Sequence, residues 1–316
     1  MSEMVINHNY QKMRNSMSTP TYPIISADSH MCEPPELWTT RLDAKYRDRA
    51  PKMVNGFNGK PGLFFMCGDA FMPVPVPGMF GAGKTAEELP EHFKKGFEEA
   101  PKSVWDPAAR LKEQDVDGVG GEVLHTSFGM FLYDLTDREL RTACFKVYND
   151  FVAEYVAHDR KRLAALAVID LEDIDSGVKE LQRTARAGLR GAMIWASAPD
   201  DRPYTNKEYE PFWAAAQDLD MPVSLHALTG RSGPKLNLNK ILVSHMEQPH
   251  VAQLTLAQMI YAGIFERFPR LKIVSSENDI GWMYHFMHRM DHGYEKYRHF
   301  EKVTLDMLPS EYIRRQ

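Results

Sequence analysis

Residues 162–196 read "RLAALAVIDLEDIDSGVKELQRTARAGLRGAMIWA", and this stretch decides the fold. It opens on an apolar run, 162–169, of the length and character of a strand buried on both faces. Helix-period sequence comes next over 172–187, and Gly188 stands just past it, where a left-handed residue ends a helix. A second apolar run over 190–196 completes a β-α-β unit. Strands joined through such a crossover run parallel in one sheet.

The same unit repeats on either side. Further candidate strands lie at 23–29, 119–125, 222–227 and 271–276, and candidate helices at 107–116, 138–158, 208–219, 247–267 and 280–300. Pro222 in "DLDMPV" and Pro269 in "RFPRLKIV" mark places where a helix has already stopped. Repeated β-α order predicts a parallel sheet covered by helices, either open and doubly wound or closed as a barrel. The chemically interesting residues fall at the carboxyl ends of the first, fifth and sixth strands, where barrel enzymes carry their sites. The expected fold is therefore α/β of the (β/α)8 TIM-barrel type, but only about six β/α units are present, so either two strands lie hidden in the 34–104 segment or the barrel is incomplete with the last two strands missing, the outcome that the resemblance given below implies. Residues 1–20 read as a flexible N-terminal arm and 21–316 as the barrel. Within it, 34–104 form a Pro/Gly-rich inserted excursion, a kind of segment that commonly serves as a lid or binding loop.

Composition narrows the function classes. A chain of 316 residues that is 43 % hydrophobic can bury a sizeable core. Its formal net charge of −5 comes from acids and bases mixed along the whole length, so no basic footprint for nucleic acid or an anionic membrane is expected. Neither a signal peptide nor a membrane-length apolar stretch is visible. Cys32, Cys67 and Cys144 are widely spaced with no C-x-x-C, which argues against a disulfide scaffold or zinc knuckle and for a reducing cytoplasm. A small molecule or another protein is the expected partner.

The first strand ends in "ISADSHMCEP", residues 25–34. On a strand, Asp28 and His30 project to one side, and a carboxylate with an imidazole suits Zn²⁺, Mn²⁺ or Fe²⁺ better than Ca²⁺ or Mg²⁺. His226 closes another apolar strand, "PVSLHA", and gives a third donor. The plainer alternative is a turn-capping Asp beside hydrogen-bonded histidines. Glu277 in "VSSENDIGW" is the candidate acid/base group, while Asp279 is the better cap for a helix starting near Ile280. Glu33, ahead of Pro34 and Pro35, is either a turn residue or a group that orients a ligating histidine. His245, in a long loop on the catalytic side, joins Asp279 and Trp282 as further outer-layer or substrate-binding candidates. Residues 78–85, "GMFGAGKT", match a phosphate-binding loop literally. Pro73, Pro75 and Pro77 precede it, however, and Pro90 interrupts the helix that would have to leave it, so nucleotide binding is a minor alternative. There is no G-x-S-x-G.

Three stretches carry a resemblance: "ISADSHMCEPPELW", "PVSLHA" and, above all, "QLTLAQMIYAGIFERFPRLKIVSSENDIGWMYHFMHRMD". From about residue 22 to the end, the sequence resembles the metal-dependent amidohydrolase family. Relatives there include aminocarboxymuconate-semialdehyde decarboxylase and the dihydroxybenzoate and carboxyvanillate decarboxylases. The resemblance implies a (β/α)8 barrel whose metal is held by an acid-or-His-x-His pair on strand one, a His on strand five and an Asp on strand eight. Asp28 and His30 match the pair and His226 the strand-five ligand. No residue matches the strand-eight Asp, and Glu277 stands where many relatives carry a His. The implied cofactor is one divalent transition metal, Zn²⁺ or Mn²⁺, and the implied substrate a small aromatic or α,β-unsaturated carboxylate. The implied reaction is non-oxidative decarboxylation or hydrolysis through a metal-activated water, in a homodimer. The remaining alternative is an inactive truncated remnant or partner-dependent fragment.

Overall fold

A computed structural model describes residues 23–315 apart from 69, 70, 72, 234–236, 238 and 239, so the arm expected over 1–20 lies outside the described residues. The strands are β1 (Ile24–Met31), β2 (Lys52–Phe57), β3 (Lys60–Met66), β4 (Val74–Pro75), β5 (Val119–Thr126), β6 (Leu163–Val168), β7 (Gly191–Ile194), β8 (Val223–His226) and β9 (Ile273–Ser276). Six of them form one sheet in the order β1-β5-β6-β7-β8-β9, and every neighbouring pair is parallel. These are the six strands expected from the sequence. The sheet is curled as a half-barrel, with β1 and β9 at its edges.

The intervening helices are α1 (Pro107–Asp117), α2 (Arg138–Val156), α3 (Ile174–Ala187), α4 (Glu210–Asp218), α5 (Ile241–Tyr261), α6 (Met283–Glu301) and α7 (Pro309–Arg315). Local chemistry starts three of them. The carboxylates of Asp106, Asp137 and Asp173 accept from the backbone N–H of Ala109 (2.8 Å), Leu140 (3.0 Å) and Ser176 (2.7 Å), satisfying donors that the first helical turn leaves free. Gly188 ends α3 with φ of 98°, as its position predicted. At the start of β7, a Cβ on Gly191 would lie 2.9 Å from the Pro222 carbonyl oxygen, so only glycine lets the β7 and β8 backbones approach as they do.

Two expectations are corrected. The helix predicted over 247–267 begins earlier, at Ile241, runs through Pro249 and stops at Tyr261, after which Gly263, with φ of 67°, separates a short turn over Ile264–Arg267. Proline lacks the N–H for one helical bond but otherwise keeps helical backbone angles, so it does not set this boundary. The helix predicted to begin near Ile280 begins at Met283, and no side chain, that of Asp279 included, caps it.

The 34–104 segment carries a small antiparallel sheet, β2-β3-β4, packed onto the main core. Phe65 of β3 is fully buried, with its ring 5.3 Å from Trp38 and 5.0 Å from Phe128. The phosphate-loop look-alike starts inside the 3-10 turn Val76–Phe80, just after the antiparallel β4. It lacks the parallel strand and succeeding long helix that would aim backbone N–H groups at a phosphate. Among the described residues, no helix is long and apolar enough to cross a membrane.

Candidate metal centre

The curl of the sheet brings the carboxyl ends of β1 and β8 together, although three strands separate them in the sheet order. His30 Nε2 and His226 Nε2 are 3.2 Å apart, and Asp28 Oδ1 lies 3.7 Å from the first and 3.8 Å from the second. One ligand-type atom from each of the three residues falls within 4.8 Å of the others. β1 reaches this geometry through an irregularity in its pairing with β5 between Ser26 and Ser29. The two serine hydroxyls meet at 2.6 Å on the same side, which strict alternation would forbid for residues three apart. Asp28, inside the irregularity, and His30, just past it, both face His226. Arg110 of α1 fixes the strand from behind by donating to the His30 carbonyl at 2.9 Å while also pairing with Glu122.

The hydrogen bonds on the far side of each imidazole settle the tautomers. His30 Nδ1 lies 2.9 Å from the Thr126 carbonyl oxygen and His226 Nδ1 lies 2.8 Å from that of Ala227. A carbonyl only accepts, so each Nδ1 carries the proton and each neutral ring presents an Nε2 lone pair inward. Burial, and after it the charge of neighbouring histidines, holds both rings below the ordinary histidine pKa and so keeps them neutral. Two facing lone pairs 3.2 Å apart repel unless a cation lies between or beside them. Burial acts to raise the Asp28 pKa, but the hydrogen bond and charge of His125 and the charges of His226 and His30 outweigh it, and the carboxyl titrates below its ordinary value. Two neutral imidazoles and one carboxylate are a donor set for a divalent transition metal, so these residues fit the implied ion.

Sequence reasoning assigned no role to His125, the residue that closes "VGGEVLH" just as His226 closes "PVSLH". That shared pattern was the available signal. His125 is 1 % exposed, with Nδ1 3.0 Å from Asp28 Oδ1 and Nε2 3.3 Å from Ser224 Oγ and 3.4 Å from Ser276 Oγ.

Glu277 stands just past β9 in a left-handed conformation, φ 58°, and its Oε2 lies 3.8 Å from His226 Nε2. A non-glycine residue held there costs on the order of 1 kcal/mol, which the neighbouring contacts must offset. Asn278 supplies them: its buried amide donates to the Leu225 carbonyl at 3.2 Å and the Ser276 carbonyl at 2.6 Å. Glu33 is fully buried and touches none of the three ligand candidates. It accepts from the Thr126 hydroxyl and from the backbone N–H of Phe128 (2.9 Å) and Gly129 (3.2 Å), fixing the turn whose Thr126 carbonyl holds His30. His245 is exposed on α5, and Asp279 is exposed with φ of 57°. Trp282 donates its indole N–H to the Asn278 carbonyl and packs edge-on to Phe286, so none of these three belongs to the ligand group.

The amidohydrolase family model matches residues 92–297, more than half of the chain. The chain belongs to the amidohydrolase family. Among its relatives, this amidohydrolase is 26 % identical over 223 residues to the 2-amino-3-carboxymuconate-6-semialdehyde decarboxylase of Dictyostelium discoideum, covering 69 % of this chain and 60 % of that one. The chain spans 47 to 60 % of the length of several curated relatives it matches. An amidohydrolase from Mycobacterium avium subsp. paratuberculosis K-10 has a similar fold, with a TM-score of 0.70 at 23 % identity over 93 % of this chain and 82 % of that chain. A dihydroxybenzoic acid decarboxylase from Polaromonas sp. JS666, solved with bound manganese and the inhibitor 2-nitroresorcinol, gives 0.61 at 18 % identity over 94 % and 77 %.

Proposed function

We propose that this amidohydrolase is a metal-dependent carboxy-lyase that removes CO₂ from a small hydroxylated aromatic carboxylate, using one divalent ion, Mn²⁺ or Zn²⁺, held by Asp28, His30 and His226. The observation that carries the reading is the pair of inward Nε2 lone pairs 3.2 Å apart beside an ionised carboxylate. The decarboxylase activities named for its relative and for a structural neighbour favour this reaction over hydrolysis.

An ion bound there supplies a Lewis acid for the oxygens of the substrate's carboxylate and adjacent hydroxyl. His30 and His226 stay neutral because burial holds both rings below the ordinary histidine pKa, and their Nδ1–H bonds to backbone carbonyls fix which nitrogen faces inward. Glu277, aimed inward by its left-handed backbone and exposed to an arriving substrate, delivers a proton to the ring carbon that bears the carboxylate. The C–C bond to the carboxylate then breaks, its electron pair returns to the ring, and CO₂ leaves as the neutral product. Proton in and CO₂ out balance the reaction with no oxidant or reductant.

The six strands are taken as six of an eight-stranded barrel, supported by the curl and by apolar residues bared at the sheet edges: Ile24 and Ile25 on β1 and Val274 on β9. One functional unit spans 21–316, and the 34–104 segment is part of it. A homodimer is favoured by Leu242, Met246 and Leu254, which share one face of α5 and stand 82, 67 and 60 % exposed. Three free, buried thiols suit the cytoplasm.

The test is CO₂ release from 2,6-dihydroxybenzoate and related acids by the full chain, with and without Mn²⁺. Turnover that requires the metal, and a Glu277→Gln variant that binds Mn²⁺ normally but turns over about 10²- to 10⁴-fold more slowly, is the expected result. Hydrolysis of amides or lactones by a metal-loaded protein that releases no CO₂ would replace it with the hydrolase reading.

A further inference from the structure

Four strands of the half-barrel are tied together at its centre by polar groups. Asp28 on β1, His125 on β5, Ser224 on β8 and Ser276 on β9 form a continuous chain of contacts: Asp28 Oδ1 to His125 Nδ1 at 3.0 Å, His125 Nε2 to Ser224 Oγ at 3.3 Å and to Ser276 Oγ at 3.4 Å, and the two hydroxyls to each other at 2.8 Å. The other three members of the chain are 1, 2 and 4 % exposed, so water does not supply their hydrogen bonds from outside. A buried hydrophobic interior would hold these strands as well or better, so the polar chain calls for a role beyond cohesion.

Its hydrogen-bond roles are determined. The Asp28 carboxylate only accepts, so His125 Nδ1 carries a proton, and its Nε2 accepts from one serine hydroxyl, to which the other hydroxyl donates. His125 thereby has a polar neighbour at each ring nitrogen, Asp28 at Nδ1 and the serine hydroxyls at Nε2. It stands outside the ligand group, which contains only Asp28, His30 and His226 among the described residues.

We infer that His125 is a positioning residue of the metal centre: braced by Ser224 and Ser276, it pins the Asp28 carboxylate in the one orientation that faces His30 and His226. The inference rests on the metal-centre reading of the proposed function. Asp28 needs such a brace more than His226 does. It sits in the irregular part of β1, where the ladder to β5 is interrupted between Ser26 and Ser29, and its side chain is 29 % exposed against 0 % for His226. A carboxylate on an interrupted edge strand samples several rotamers unless something holds it, and each one turned away from the histidines weakens the site. Outer partners of metal ligands set affinity by about 10- to 100-fold in this manner.

Asparagine and glutamine at position 125 separate bracing from packing. The amide nitrogen of Asn occupies roughly the place of Nδ1 and can still donate to Asp28, whereas that of Gln reaches the place of Nε2 and loses Asp28 while keeping the serines. Mn²⁺ affinity is measured by titration calorimetry on the full-length wild type, His125→Asn, His125→Gln, the Ser224→Ala/Ser276→Ala double variant and His30→Ala, with the melting temperature of each metal-free protein as the folding control. We expect His125→Asn to bind Mn²⁺ close to wild type, His125→Gln to bind about 10- to 100-fold more weakly, and the serine double variant to lose a smaller factor in the same direction. Equal affinities for the Asn and Gln variants, with His30→Ala still abolishing binding, would overturn the bracing role and leave the metal centre standing. A wild type that binds no Mn²⁺, or a His30→Ala variant that binds as well as wild type, would overturn the metal centre and the inference together.

Discussion

The centre of the sheet and its edges are built to different standards. Every residue of β7 and β8 is buried, whereas β1 and β9 leave Ile24, Ile25 and Val274 at 48, 60 and 42 % exposure. The candidate metal centre is assembled from both. His226 comes from the buried centre with its ring fully enclosed, and Asp28 and His30 come from an edge strand whose pairing is interrupted. The rigid side adds to its packing one local hydrogen bond, from His226 Nδ1 to the neighbouring Ala227 carbonyl. The edge side needs specific polar contacts across strands, and it has them in Arg110 on the His30 carbonyl, Thr126 on the His30 ring and His125 on Asp28.

The sharpest way to break this comparison is to remove ligands from each side. Asp28→Ala, His30→Ala and His226→Ala should each weaken Mn²⁺ binding by more than the about 100-fold that loss of an outer partner costs, read by calorimetry. Only His226→Ala should also lower the melting temperature of the metal-free protein, because it alone empties a fully buried position. Equal melting for all three would erase the distinction between centre and edge.

Apolar truncations probe the same contrast without the metal. Leu225→Ala on β8, where the side chain is fully buried, should cost about 2–5 kcal/mol in denaturant unfolding, and Ile25→Ala on β1 about 0.5 kcal/mol or less.

Acid should act on the site through its histidines. In the metal-free folded protein His30 and His226 titrate below the ordinary value of 6.5, so between their folded values and pH 6.5 the unfolded chain binds more protons. Their contribution is complete above pH 6.5, is lost as pH falls through that window, and levels off below it. Asp28, also lowered, adds a further loss as pH falls below 3.8 toward its folded value. Unfolding free energy measured against pH should show the upper loss in wild type and a flatter profile in a His30→Ala/His226→Ala variant.

The smallest effect is expected at the far edge. Val274→Lys on β9 places a charge on an exposed edge position, so it should reduce concentration-dependent association in sedimentation while changing unfolding free energy by about 0.5 kcal/mol or less.

Much of the fold was legible because its signals are local. The six strands could be read as short apolar runs and Gly188 as a left-handed stop. Where a local signal was ambiguous, the boundary slipped. The helix expected from residue 247 starts at Ile241 and runs through Pro249, and Asp279 was expected to cap a helix that begins later without any side-chain cap.

By itself the sequence determined the β-α order and nominated Asp28 with His30, because side chains two apart on a strand share a face whatever the rest of the chain does. It also singled out His226 and Glu277 as polar residues closing apolar runs. Tertiary structure decided that His30 and His226, 196 positions apart, meet at 3.2 Å, that Thr126 sets the tautomer of one, and that His125 and two serines hold the carboxylate. Glu33 shows the same division, since a carboxylate that reads either as a turn residue or as a group orienting a ligating histidine is buried under the loop that holds His30. Periodicity reports which face of its own strand or helix a residue occupies. Contacts across the interior depend on strand register and sheet curl, and these are properties of the whole packed sheet, not of any one segment.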